Sequence, residues 1–115
     1  MSDIHIDPQV LNDLQDVMEG EYLTLLDTFL RDSEERLNQL RSAPDAEKLG
    51  QAAHSFKGSS SNMGAVGLAE LCRQLEERVN THTLYGIEDL INQIEREFNT
   101  VRPLYRAERE RVLEG

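Results

Sequence analysis

Apolar residues recur every three or four positions through most of this chain, which is the period of an α-helix. Neither the alternation of a half-buried strand nor the Asn-Gly and Asp-Gly turns of hairpins are found. Short polar connections separate the periodic segments, so consecutive helices are expected to run up and down beside one another. We therefore predict an all-α protein, an antiparallel four-helix bundle with a short additional N-terminal helix, its helices spanning about 7–18, 21–41, 46–63, 66–80 and 84–102.

Capping and breaking residues set the expected ends of these helices. Asp45 precedes the third segment and is suited to cap it, because its carboxylate accepts from the free N–H groups of the first turn. Gly20 and Gly64 are expected to end the first and third helices. Pro103 is expected to end or kink the fifth helix at the preceding residue.

One face of each helix is predicted to form the core. Cys72 lies on such a face, so we expect a buried thiol, and Ser60 lies on another, where a compact side chain permits close helix packing. The predicted core positions are Val10, Leu11, Leu14, Val17, Met18, Tyr22, Leu26, Phe29, Leu30, Leu37, Leu40, Leu49, Ala52, Ala53, Phe56, Ser60, Met63, Leu68, Leu71, Cys72, Leu75, Val79, Ile87, Leu90, Ile91, Ile94, Phe98 and Val101.

Length and charge narrow the possible functions. The 115 residues suffice for one domain with a single core, with the ends at about 1–6 and 106–115 left open between helix and frayed chain. A net charge of −10, from 22 acidic and 12 basic residues, disfavours nucleic acids and anionic membranes as partners. No apolar run approaches the roughly 20 residues that span a bilayer, and the N-terminus lacks the pattern of a signal peptide. With its lone cysteine, the chain is expected to be cytoplasmic.

The stretch AAHSFKGSSSNMGA, residues 52–65, contains a histidine on the polar side of a predicted helix. On a helical wheel His54 lies roughly 140° from the core residue Leu49. Gly50 and Gly58 flank it at four residues on either side, although a glycine inside a helix costs about 1 kcal/mol relative to alanine. Because a missing side chain lets another molecule approach closely, the glycines predict that a macromolecule reaches the imidazole.

Two charged side chains are expected beside this histidine. Lys57 follows His54 by three residues and would favour negative charge there. A helical hairpin that turns near Gly64 brings Glu76 level with His54, where its carboxylate can accept a hydrogen bond from one ring nitrogen. Such a bond would fix the tautomer and leave the other nitrogen outward, as an activated nucleophile requires.

The remaining residues with chemical potential have ordinary explanations. A surface histidine taken alone usually has no function, and only the two helix glycines set His54 apart. His5 and His82 lack such a setting and are predicted to be inert terminal or loop residues. A metal-binding bundle needs inward Glu-x-x-His patterns on several helices, and none occurs, so no metal site is predicted.

The segment HSFKGSSSNMGAVGLAELCRQLE, from His54 to Glu76, resembles the signature of histidine-containing phosphotransfer (HPt) domains. The shared pattern is a histidine followed by lysine, glycine and paired serines, then glycine-alanine, a leucine, a cysteine and leucine-glutamate. The preceding segment resembles the first two helices of the family, so the resemblance spans about Asp7 to Val79.

The resemblance implies that His54 accepts a phosphoryl group from a receiver-domain aspartate of a hybrid sensor kinase and passes it to the aspartate of a response regulator. Lys57 corresponds to the lysine that supports the phosphate, and Glu76 to the position that hydrogen-bonds the histidine. Gly58 corresponds to the glycine that lets the receiver dock. We predict a docking face that comprises Gly50, Gln51, Gly58 and Ser61.

The chain lacks the parts that an independent phosphotransferase needs. There is no P-loop and no acidic cluster around His54, so the partner receiver is expected to supply Mg²⁺ and most of the catalysis. The protein is therefore predicted to be a monomeric phosphocarrier without a cofactor of its own, not an enzyme. The alternative is a helical adaptor that binds a signalling partner through the same face without chemistry, and such an adaptor would be indifferent to His54→Gln.

Overall fold

The computed structural model of the protein describes residues 5–115, and the frayed-end prediction for residues 1–4 lies outside this range. Between residues 5 and 115 all regular structure is helical, without a strand. A short 3₁₀ turn separates the first two helices. The elements are α1 (Pro8–Met18), the 3₁₀ turn (Glu19–Glu21), α2 (Tyr22–Ser42), α3 (Ala46–Asn62), α4 (Val66–Asn80) and α5 (Ile87–Glu114).

Helices α2 to α5 form the predicted four-helix bundle. α3 packs between α2 and α4, and α5 closes the ring by packing against both α4 and α2. Ion pairs fix the antiparallel direction of α2 and α5, because Arg41 near the end of α2 pairs with Glu95 early in α5, whereas Asp27 pairs with Arg109. Asp45 caps α3 as predicted by accepting a hydrogen bond from the backbone N–H of the third helical residue.

The short helix α1 is anchored on the turn between α3 and α4. The Asp7 N–H donates to the carbonyl of Gly64 at 2.8 Å. Gly64 has φ +76°, and an added Cβ would lie 3.0 Å from Cβ of Val10, so only glycine fits this turn. The break after α1 falls at Glu19, which has φ 46°, rather than at the predicted Gly20.

Most of the predicted core positions are buried, and the whole predicted stripe of α3 is among them. Ser33 of α2 is buried although it was not predicted to be. The predicted core residues that are only partly buried are Val10, Leu14, Met18, Leu30, Leu71 and Ile87. The prediction for Val17 was wrong, since it is 78% exposed. Leu11 is the only buried residue of α1, so this helix contributes one narrow face that excludes Val17.

Pro103 was predicted to end or kink the fifth helix. Helix α5 continues through it to Glu114, so the end did not occur there, and the tail from residue 106 is helical. Proline has no backbone N–H, so the carbonyl of Asn99 loses its hydrogen-bond donor. Asn99 lies on the exposed side of the helix, where water can bond that carbonyl instead. Beyond the proline, Tyr105 is fully buried, and its ring centroid lies 5.0 Å from that of Phe29. Tertiary packing therefore outweighs the local cost of the proline.

Polar contacts attach the end of α5 to other parts of the bundle. The Tyr105 hydroxyl donates to a carbonyl at the C-terminal end of α3 at 2.7 Å. The Tyr22 hydroxyl donates to Glu108 at 2.6 Å, and burial together with this carboxylate raises the pKa of the Tyr22 phenol. Arg111 donates to the side chain of Gln15 in α1. These contacts hold the tail against α1, α2 and α3.

Candidate functional site

His54 stands on the exposed side of α3, as the helical wheel predicts. Its side chain is 67% exposed, although Ala53 and Phe56 on the same helix are fully buried. The imidazole Nδ1 lies 2.6 Å from Oε2 of Glu76 on α4. The predicted hairpin therefore brings the histidine and the carboxylate together across the α3–α4 contact.

This contact determines which nitrogen of His54 is available. An ionised carboxylate only accepts hydrogen bonds, so Nδ1 carries the proton and donates to Glu76. In the neutral ring Nε2 then keeps its lone pair. With two-thirds of the side chain exposed, Nε2 can meet an electrophile that approaches from solvent.

Glu76 also binds Lys57, a contact that was not predicted from the sequence. The Lys57 ammonium lies 2.6 Å from Oε1 of Glu76, the oxygen that His54 does not use. Glu76 is only 19% exposed. The hydrogen bond from Lys57 lowers the pKa of the Glu76 carboxyl, burial opposes this, and the bond from His54 lowers the pKa further. Glu76 is therefore held as a carboxylate with both oxygens engaged.

The two glycines that flank His54 have different surroundings. A Cβ added at Gly58 would meet no atom within 4 Å, so this position is open to a partner. A Cβ added at Gly50 would lie 3.0 Å from Cγ1 of Val79 on α4. The missing side chain of Gly50 thus permits the close contact of α3 with α4, whereas the sequence analysis had explained it by the approach of a partner.

The two other predicted docking residues are exposed on α3. Gln51 lies one turn before His54 and donates weakly to Glu47 at 3.4 Å. Ser61 lines a shallow groove of about 290 Å³ between α3 and α4, together with Lys57 and Arg73. Gln51 and Ser61 are three and seven residues from His54 along α3, so the helical period places both on the side that carries His54.

The other chemically notable residues lie away from this site. His5, predicted to be inert, contacts another helix through its Nδ1, which lies 2.7 Å from Oε2 of Glu97. His82 is exposed in the loop before α5 with φ 57°. Cys72 is buried as predicted, and burial raises the pKa of its thiol to about 12. Between residues 5 and 115 no three His, Cys, Asp or Glu side chains are grouped as a metal site.

Comparison with known proteins identifies the family of this chain. The Hpt domain family model matches residues 24–102, which is most of the chain. The chain belongs to the Hpt family. The crystal structure of histidine-containing phosphotransfer protein B (HptB) from Pseudomonas aeruginosa PAO1 is 54% identical, with a TM-score of 0.92 over 96% of this chain and 98% of that one. A comparison with curated proteins gave no match.

Membership of the Hpt family confirms the resemblance and the predicted helical bundle. It also identifies the chain as a histidine phosphotransfer protein of phosphorelay signalling. Within the described part of the chain, no helix has the length and apolar character that crossing a membrane requires.

Proposed function

We propose that His54 is the phosphoryl-carrying residue of this Hpt protein. It accepts the group from the receiver-domain aspartate of a hybrid sensor kinase and passes it to the aspartate of a response regulator. The observation that carries the proposal is the contact of Nδ1 with Glu76 on an otherwise exposed imidazole. The two other histidines, His5 and His82, lie outside the helix that carries Gly58. His5 also contacts a carboxylate through Nδ1, that of Glu97, but its side chain is only half as exposed as that of His54.

The bare Nε2 of His54 is the nucleophile of the proposed exchange. Nε2 attacks the phosphorus of the aspartyl phosphate, the P–N bond forms, and the P–O bond to the aspartate breaks with that carboxylate as leaving group. No proton has to leave Nε2, and the ring, which keeps its proton on Nδ1, gains positive charge. The Glu76 carboxylate accepts that proton's hydrogen bond, with Oε2 2.6 Å from Nδ1, and stabilises the charge as it develops. The return reaction follows the same steps in reverse.

The partner is proposed to supply what this chain does not provide. Lys57 is the cation nearest to His54 in sequence within α3, and it is proposed to help neutralise the phosphoryl oxygens. We propose that the receiver domain contributes Mg²⁺ and most of the catalysis, which makes this protein a phosphocarrier rather than an enzyme. A monomer in the cytoplasm is proposed, and the single buried, free thiol of Cys72 is compatible with that compartment.

The docking face is proposed to consist of Gln51, Gly58 and Ser61 around the imidazole. All three are exposed and lie on the side of α3 that faces away from the core. Gly58 has open space where a side chain would stand, which supports close approach of the receiver. We leave Gly50 out of the proposed face, because a Cβ added there would lie 3.0 Å from Cγ1 of Val79 on α4.

The proposal is tested by incubating the protein with a phosphorylated receiver domain and Mg²⁺. We expect phosphate on the protein that is labile in acid and stable in base, as phosphohistidine is. A folded protein that takes up no label from a broad panel of receivers would instead support the adaptor function.

Glu76→Ala is expected to slow phosphoryl uptake by about ten- to hundred-fold without ending it, which is typical for loss of a group that orients a reactive histidine. The substitution removes the acceptor for Nδ1–H and leaves the exposed Nε2 in place. Rates of uptake from a phosphorylated receiver measure the effect, with Glu77→Ala as control, since Glu77 contacts Arg73 and not His54. Equal rates for wild type and Glu76→Ala would contradict an orienting function.

Gly58→Glu is expected to leave the free energy of unfolding near that of wild type but to slow transfer from a receiver about tenfold, because it fills the approach to His54 and adds repulsive charge. Gly20→Glu is the matched control, since Gly20 also has no atom within 4 Å of an added Cβ but lies outside α3. If both variants transfer at the wild-type rate, the proposed docking face is wrong.

A further inference from the structure

Lys57 contacts the carboxylate that holds the histidine, even in the absence of a phosphoryl group. Its ammonium lies 2.6 Å from Oε1 of Glu76, and Oε2 of the same carboxylate lies 2.6 Å from Nδ1 of His54. Lys57 follows His54 by three residues, so both side chains project from neighbouring positions of α3 toward α4. The three groups form one chain of contacts with Glu76 in the middle.

The Lys57 contact restrains the carboxylate of Glu76. A carboxylate with one engaged oxygen can still rotate about its terminal torsion, which is broad and roughly two-fold. With Lys57 on Oε1 and His54 on Oε2, rotation would break a charge-assisted hydrogen bond. Glu76 is mostly buried between the helices, so water replaces that bond poorly.

We infer that Lys57 is a positioning residue, which acts through Glu76 to keep His54 in the tautomer with a bare Nε2. This inference rests on the proposed function of His54. It adds a second function of Lys57 to the support of the phosphate, and the two functions predict different results for the unphosphorylated protein. A lysine that only contacts phosphate has no influence on the ring before phosphorylation. A lysine that positions Glu76 changes the tautomer ratio of the unphosphorylated protein.

The experiment measures the Nδ1–H to Nε2–H ratio of His54 by ¹⁵N NMR of the unphosphorylated full chain, at a pH where the imidazole is neutral. We expect Lys57→Met to lower the ratio about fivefold, the scale of one lost hydrogen bond. Lys57→Arg, which keeps a cationic donor, should restore most of the ratio. Lys48→Met is the matched control, because Lys48 is the other of the chain's two lysines, also lies in α3, and is exposed.

A double-mutant comparison separates a path through Glu76 from a direct effect of the lysine charge. In a Glu76→Ala background, Lys57→Met should leave the ratio unchanged, whereas a direct field effect would persist. A wild-type ratio in Lys57→Met, or the same drop with and without Glu76, would overturn the inference. Neither result depends on phosphorylation, so failure of the proposed function would appear separately, as a wild-type protein that takes up no phosphate.

Discussion

His54→Gln is expected to abolish phosphoryl uptake from a receiver while the bundle stays folded. Glutamine has no nitrogen lone pair that can attack phosphorus, so no alternative acceptor remains at this position. The side chain is 67% exposed, and surface substitutions usually change the free energy of unfolding by less than about 0.5 kcal/mol. Radiolabel transfer measures uptake, and urea denaturation measures stability.

The two other histidines supply matched controls for this substitution. His5→Gln and His82→Gln remove an imidazole from the N-terminal segment and from the loop before α5, and both variants should take up phosphate like wild type. Residual label on His54→Gln that disappears only in combination with His5→Gln would move the acceptor to His5. Unfolding of His54→Gln would contradict the exposed position of the residue.

The position of His54 could be derived from the sequence because it depends on short-range geometry. The helical period places residues 49, 53 and 56 on one face and residue 54 on another, and a hairpin with a three-residue turn fixes the register of α3 against α4. Glu76 was therefore expected level with the histidine, and it lies there. The Hpt signature in the same segment added the chemistry.

The errors occurred where contacts between distant segments decide the outcome. Pro103 is a helix breaker by local rules, yet α5 continues because Tyr105 is buried against Phe29, 76 positions earlier in the chain. Val17 follows the helical period of α1, but that helix offers the bundle only one narrow face. The contact of His5 with Glu97 was not predicted at all, because no local pattern indicates it. Such contacts depend on how whole helices pack, and one sequence does not specify that packing in advance.

Gly50 and Gly58 look alike in the sequence, but only at Gly50 would an added side chain meet another helix. Gly50→Leu is expected to destabilise the fold by about 1–2 kcal/mol, since an overpacked contact costs about 1–3 kcal/mol and helix propensity returns up to about 1 kcal/mol. Cβ of the new residue would meet Cγ1 of Val79 at 3.0 Å. Val79 is β-branched and buried, so its side chain has little freedom to move aside. Urea denaturation measures the change.

Gly58→Leu is the matched control for this prediction. The same side chain enters open space eight residues later on the same helix, so only the propensity gain remains, and the variant should be about 0.5–1 kcal/mol more stable than wild type. Val79 lies one turn from Glu76 on α4, so a displaced α4 in Gly50→Leu should also disturb the contact with His54 and slow phosphoryl uptake. Gly58→Leu should slow uptake without any loss of stability, because it obstructs only the receiver. Equal stabilities for the two variants would mean that α3 and α4 do not need Gly50 to pack.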